Sequence, residues 1–227
     1  MENIENNLNR IKTRIFETAR KFDRDPESVL LLAVSKRKPA SDIRAAHAYG
    51  QRDFGENFLQ EAQGKMQELR DLDIHWHFIG AIQSNKTKPI AESFDWAHCI
   101  DRVKIARRLS EQRPADMAPL NVCIQVKLDD EASKAGIELS EVPALAEEVA
   151  KLPGLRLRGL MSIPAPREDF AGQRATFARL AESLQSLRQQ GFDCDTLSMG
   201  MTQDMEAAIA EGSTLVRIGT AIFGERA

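Results

Sequence analysis

The 227-residue sequence predicts an α/β protein built as a single (β/α)8 TIM barrel with an additional N-terminal helix. Three observations carry that expectation. Short apolar, β-branched runs alternate with longer amphipathic stretches from one end to the other, as in repeated βα units. Each run is followed by turn or cap residues and not by another run, so successive strands are joined through helices and lie parallel. Dividing 227 residues among eight units leaves about 28 for each, compact but workable for a closed eight-stranded barrel. An open doubly wound sheet is the alternative with the same alternation.

The elements follow in order. Ile4, Leu8, Ile11, Ile15 and Phe16 recur near a 3.6-residue period, so residues 3–22 form a preceding helix that covers one end or flank. Eight strands are expected at 29–35, 53–55, 75–79, 96–100, 121–127, 156–162, 196–198 and 215–218, each a short apolar run bounded by polar or turn residues. Helices are expected between them at 41–49, 58–70, 86–93, 102–112, 141–152, 170–190 and 205–211. Gly50, Gly191 and Gly212 stand where a left-handed C-cap ends a helix. No linker rich in Pro, Gly or Ser divides the chain, and Arg113 to Pro119 reads as one helix-to-strand connection. One domain is therefore expected over 1–227, with the preceding helix in 1–22 and the barrel in 29–224.

Lys+Arg of 31 against Asp+Glu of 34 leaves a formal charge of −3, so no net field draws the chain to nucleic acid or anionic lipid. The acidic, amide-rich start, Met1 to Asn7, has neither the basic nor the apolar region of a secretory signal. No apolar run approaches the roughly 18 residues of a membrane span. A soluble, cytoplasmic, monomeric chain is expected. Cys99, Cys123 and Cys194 are odd in number and widely spaced, which suits reduced, buried thiols better than disulfides or a zinc knuckle.

In a barrel of this kind, active groups sit at the C-terminal ends of strands, and phosphate commonly binds after strands seven and eight. Leu32, Val34 and Lys36 share one parity, so an inward first strand brings the Lys36 amine to the mouth. Partial burial and the like charges of Arg37 and Lys38 would lower its pKa and free it for Schiff-base chemistry. The segment by itself also fits a surface lysine in a basic turn. After strand seven, Ser198-Met199-Gly200-Met201-Thr202 supplies hydroxyls, a glycine and amides at a helix start. After strand eight, Gly219-Thr220 offers the same chemistry. Arg217 shares parity with Gly219, and an inward arginine needs a partner. Together these features converge on a small aldehyde carrying a phosphate.

Seven motifs then appear in order: Leu32-Ala33-Val34-Ser35-Lys36, Phe54-Gly55-Glu56-Asn57, Trp76-His77-Phe78-Ile79-Gly80, Gln83-Ser84-Asn85-Lys86, Arg158-Gly159-Leu160-Met161, Ser198-Met199-Gly200-Met201, and Val216 to Gly224. Over nearly the whole chain they resemble the pyridoxal phosphate homeostasis protein family. The resemblance implies a fold-type III barrel similar to the N-terminal domain of alanine racemase, with pyridoxal 5′-phosphate (PLP) held as a covalent aldimine at Lys36. It implies Ser198, Gly219 and Thr220 as phosphate ligands, Gly200 and Met201 as shapers of that loop, and Arg217 at the pyridine nitrogen. Asn57 and His77 are placed near the ring. It also implies an intracellular carrier or buffer of PLP with no established turnover, whose recipients are PLP-dependent enzymes. A permanently charged arginine beside the ring nitrogen discourages its protonation and weakens the ring as an electron sink. Tyr49 is the sole tyrosine, and the sequence leaves no length for the second domain that supplies one in the related racemases. A weak PLP-dependent amino-acid racemase or lyase is the rival, and an aldolase-like barrel using Lys36 on sugar phosphates is a third reading.

His75 and His77 share a strand face, with His98-Cys99 further on, yet no carboxylate or cysteine stands at ligand spacing in the same motif. No metal site is expected. The acidic run after Asp129 lacks the pattern of a calcium loop, and Lys134 in it reads as a solvated lysine, with a secondary contact to PLP left open.

Overall fold

Eight parallel strands close on themselves in chain order: β1 (Leu30–Val34), β2 (Asp53–Glu56), β3 (His75–Phe78), β4 (Trp96–Ile100), β5 (Leu120–Gln125), β6 (Leu155–Met161), β7 (Thr196–Ser198) and β8 (Leu215–Ile218). The computed structural model describes residues 4–129 and 135–225. Closure is made by β8 against β1, which sets Leu32 beside Arg217 and Ala33 beside Ile218. That pairing excludes the open sheet. Every expected strand is present, with ends within about two residues of those read from the sequence, the usual uncertainty of such boundaries.

The helices are α1 (Ile4–Lys21), α2 (Ala40–Ala48), α3 (Leu59–Glu68), α4 (Thr87–Ser93), α5 (Val103–Gln112), α6 (Val142–Ala150), α7 (Phe170–Gln189), α8 (Met205–Ala210) and α9 (Thr220–Phe223). Gly50, Gly191 and Gly212 have φ of 83°, 92° and 92°, as their C-cap positions require. Of these helices only α9 was not foreseen, because four residues are too few to display a period. Its brevity explains where α1 goes. A four-residue helix cannot cover the outer face of β8, and α1 packs there against α8, α9 and α2 with Leu8, Ile11 and Ile15 buried. Asn7 Nδ2 donates to the Ile222 carbonyl at 3.0 Å, Arg14 to that of Thr202 at 3.0 Å, and Arg24 to those of Ile209 and Ser213 at 2.8 and 2.7 Å.

The main apolar core lies between strands and helices and includes Ala33, Phe54, Phe78 and Ala97. A separate, smaller cluster of Leu32, Ile79 and Leu215, with Val34 against it, fills part of the barrel interior. The inward parity of Leu32 and Val34 is thus as expected. The interior apolar cluster is small because His77, His98, Ser198 and Arg217 are buried there as well. Among the described residues no helix is long and apolar enough to cross a membrane.

Candidate functional site

Two residues beyond Val34, Lys36 emerges at the C-terminal rim of the barrel and lines a cavity of about 190 Å³ with Asn57, Met201, Thr202, Arg217, Gly219 and Thr220. Val34, Ile79, Met161 and Ile163 complete its walls. Larger hollows exist, including one of about 480 Å³ at the foot of the barrel. Chemistry and not size identifies the mouth cavity, since an amine, two hydroxyls, an amide and a guanidinium meet there.

The backbone around Lys36 is held from behind by a buried ion pair. Lys65 Nζ on α3 donates to Glu56 Oε1 at 2.7 Å, to the Ser35 carbonyl at 2.8 Å and to Glu61 Oε1 at 2.5 Å. Ser35 Oγ donates to Glu56 Oε1 at 2.6 Å, and the Arg37 amide to Glu61 Oε1 at 2.5 Å. Both neighbours of Lys36 are therefore fixed, and Arg37 takes a left-handed φ of 59° to meet its partner. Burial raises the Glu56 carboxyl above its usual pKa against the opposing pull of Lys65. The rest of the basic turn faces elsewhere: Arg37 lies over the Phe58 ring, and Lys38 Nζ donates to the carbonyls of Phe223 and Glu225 at 2.8 and 2.6 Å.

Two glycines bring backbone close to the cavity. Gly200 has φ of 96°, and a Cβ there would stand 2.6 Å from that of Ala208, so only glycine turns the chain tightly enough to carry Met201 and Thr202 to the mouth. A Cβ on Gly219 would meet the Val34 carbonyl at 3.0 Å. The Met201 amide is taken by Asp204 Oδ1 at 2.6 Å. Thr220 starts α9; the Ile222 and Phe223 amides bond the Gly219 carbonyl at 2.9 and 3.0 Å, and those of Thr220 and Ala221 come before them at the helix opening.

Of the nine residues expected at the site, Lys36, Asn57, Met201, Arg217, Gly219 and Thr220 line the cavity, and Gly200 shapes the loop behind Met201. Ser198 and His77 lie deeper. The fully buried Ser198 Oγ accepts from Arg217 Nη1 at 2.7 Å and bonds His98 Nδ1 at 2.9 Å. Its hydroxyl is thus committed beneath the cavity and not to a group within it. His77, also fully buried, stands between Asp53 and His98 and stacks on Trp96. Neither Thr202 nor His98 is expected at the site from the sequence. Thr202 stands in the quoted loop as an available hydroxyl, and His98 enters only as a candidate metal ligand with His75 and His77.

Arg217 is 5% exposed, and burial lowers its pKa. Its expected partner is not a carboxylate: Nη1 binds Ser198, and Nη2 donates to the Ser162 carbonyl at 2.8 Å. Asn57 Oδ1 is buried with no hydrogen-bond partner among the described residues, which costs free energy unless a ligand supplies a donor. All three thiols are buried, and burial pushes Cys99 up to about 12 and Cys194 up to about 11, with Cys123 raised as well. Burial of this kind favours the thiol over the thiolate at neutral pH. No group of metal-ligating side chains occurs among the described residues, and Lys134 lies outside them.

A family model described as "Alanine racemase, N-terminal domain" matches residues 1–227. The chain is 60% identical over 226 residues to the pyridoxal phosphate homeostasis protein of Pseudomonas aeruginosa, spanning 100% of this chain and 97% of that one. It is 52% identical over 229 residues to the protein of the same name from Escherichia coli K12, spanning 100% and 98%. Among solved structures, PipY of Synechococcus elongatus PCC7942 with PLP bound superimposes with a TM-score of 0.82 at 40% identity, covering 92% of this chain and all of that one. With the same barrel, near-complete coverage and identities above half, the chain belongs to the pyridoxal phosphate homeostasis protein family, within the wider family of the alanine racemase N-terminal domain.

Proposed function

We propose that this protein holds pyridoxal 5′-phosphate at the barrel mouth, with Lys36 as its covalent anchor, and works in the cytoplasm as a monomeric carrier and buffer of that cofactor for PLP-dependent enzymes. The observation that carries this reading is the convergence of Lys36, Asn57, Arg217, Thr202 and Thr220 on one cavity. The residues suit the group: the unsatisfied Asn57 Oδ1 marks a polar wall made for a ligand, and Gly219, packed closely on Val34, lines the same cavity. When bound, the cofactor supplies an electrophilic aldehyde and an electron-withdrawing ring. Lys36 supplies the amine that reacts with that aldehyde. Thr202, Thr220 and the amides opening α9 bind the phosphate, with Gly200 and Met201 setting the loop. Asn57 orients the ring edge, and Arg217 faces the ring nitrogen and, as a permanent cation, keeps a proton off it.

The same residues favour a carrier over a catalyst. Among the described residues lining the cavity, Lys36 has the one side chain that readily exchanges a proton. Tyr49 ends α2 and leads through Gly50 toward the start of β2, at the foot of the barrel. It cannot serve as an acid or base at the mouth. Borohydride reduction of protein loaded with PLP, followed by peptide mass spectrometry, tests the anchor. Assays of α-proton exchange on amino acids test the carrier reading, and ordinary turnover would overturn it in favour of a racemase or lyase.

A further inference from the structure

Arginine is only ever a hydrogen-bond donor, and that fixes the sense of the first bond behind Arg217. Ser198 Oγ accepts from Arg217 Nη1 at 2.7 Å, and the one proton of this fully buried hydroxyl finds its acceptor in His98 Nδ1 at 2.9 Å. That nitrogen is then an acceptor, and His98 carries its proton on Nε2. His98 Nε2 lies 3.0 Å from His77 Nδ1, which must accept. His77 in turn keeps its proton on Nε2 and donates it to Asp53 Oδ1 at 3.1 Å. The opposite assignment would leave the buried Ser198 proton without an acceptor and would require a doubly protonated His77, or a protonated Asp53, at the far end of the chain. Asp53 lies on the wall of the hollow at the foot of the barrel. The chain of donors therefore runs through the barrel interior from mouth to foot.

We infer that Asp53, His77, His98 and Ser198 are positioning residues, a one-way hydrogen-bond relay that fixes the Arg217 guanidinium against the ring end of the cofactor. The inference rests on the reading that Arg217 faces that ring. A buried guanidinium requires compensation, yet the groups touching it are a hydroxyl and a carbonyl. The relay supplies that compensation at a distance, because each link polarises the next and the Asp53 carboxylate ends the series. Two neutral imidazoles transmit the effect without adding charge next to the arginine. Stacking of His77 on Trp96, with ring centroids 5.3 Å apart and planes 8° from parallel, locks the middle link.

Nitrogen-15 NMR of the histidine side chains in the full chain without cofactor tests the direction. His77 and His98 should both be neutral and protonated on Nε2; a proton on Nδ1 of either overturns the relay. Pyridoxal phosphate is then added to the wild type, Ser198→Ala and Asp53→Asn. Both variants should take up one cofactor per chain, with a shifted visible maximum and about tenfold faster loss, the worth of one charge-assisted hydrogen bond. Unshifted spectra and wild-type retention in both would overturn the positioning role. Should a variant fail to fold, the wild-type histidine spectra still decide the direction. Should the wild type take up no pyridoxal phosphate, the carrier reading falls and takes the ring-facing role with it, while those spectra judge the relay separately.

Discussion

At the scale of single residues, the site is divided between groups that face the cavity and groups that hold them. Thr202 and Thr220 face it, and a phosphate has more charge to satisfy than a single ring nitrogen. Thr202→Val combined with Thr220→Val should therefore weaken cofactor retention by at least about tenfold, and by more than Arg217→Ala does; equal or greater loss in Arg217→Ala contradicts the assignment. His77 and His98 belong to the second group. Burial lowers both pKa values, His77 against the opposing pull of Asp53 and His98 with the help of His77 and Arg217. The unfolded chain takes up these protons near about pH 6.5, whereas the folded chain resists them. Stability from this source is thus fully present above about pH 6.5 and declines as pH falls toward the lower folded values. Thermal melts of the wild type should show Tm dropping below about pH 6.5, and His98→Gln should flatten that slope; an unchanged slope would contradict neutral burial. Parity and turn chemistry exposed Lys36, Gly219 and Thr220 in the sequence, because those signals are local. The true surroundings of Ser198 were hidden, since His98 stands a hundred residues away and meets it only after the barrel closes.

At the scale of elements, α3 and α1 both act on the mouth from outside it. Lys65 on α3 and Glu56 at the end of β2 have side chains 6% and 0% exposed. Lys65→Met would leave the Glu56 carboxylate buried without its partner, a loss of about 3–5 kcal/mol. Adding Glu56→Gln should recover much of it, since the buried charge is then gone; denaturant titration of the two single variants and the double measures that coupling. Helix α1 closes the outer wall, and Ile11 is 3% exposed within it. Ile11→Ala should cost about 2–5 kcal/mol, read from the urea midpoint, and a change under about 0.5 kcal/mol would show that α1 is not part of the cooperative core. The periodicity of α1 made it legible as a helix over the right span. Its place over β8 was not legible, because that follows from the brevity of α9, which carries no pattern of its own.

At the scale of the whole molecule, the alternation of strand and helix was enough to foresee the barrel, because each βα unit carries its own periodicity and the units repeat. Closure itself is a long-range event, visible only in the pairing of β8 with β1. That pairing sets Leu32 beside Arg217 and so places the Lys36 amine and the Arg217 guanidinium on one mouth. The match covers 97% and 98% of its two named relatives. The claim on which the account depends is that Lys36 anchors pyridoxal phosphate. Borohydride reduction of the loaded wild-type chain, followed by peptide mass spectrometry, tests it most directly. A single pyridoxyl-phosphate adduct on Lys36, lost together with the visible absorbance in Lys36→Ala, is the predicted result; an adduct on another lysine, or an unchanged spectrum in that variant, would contradict it.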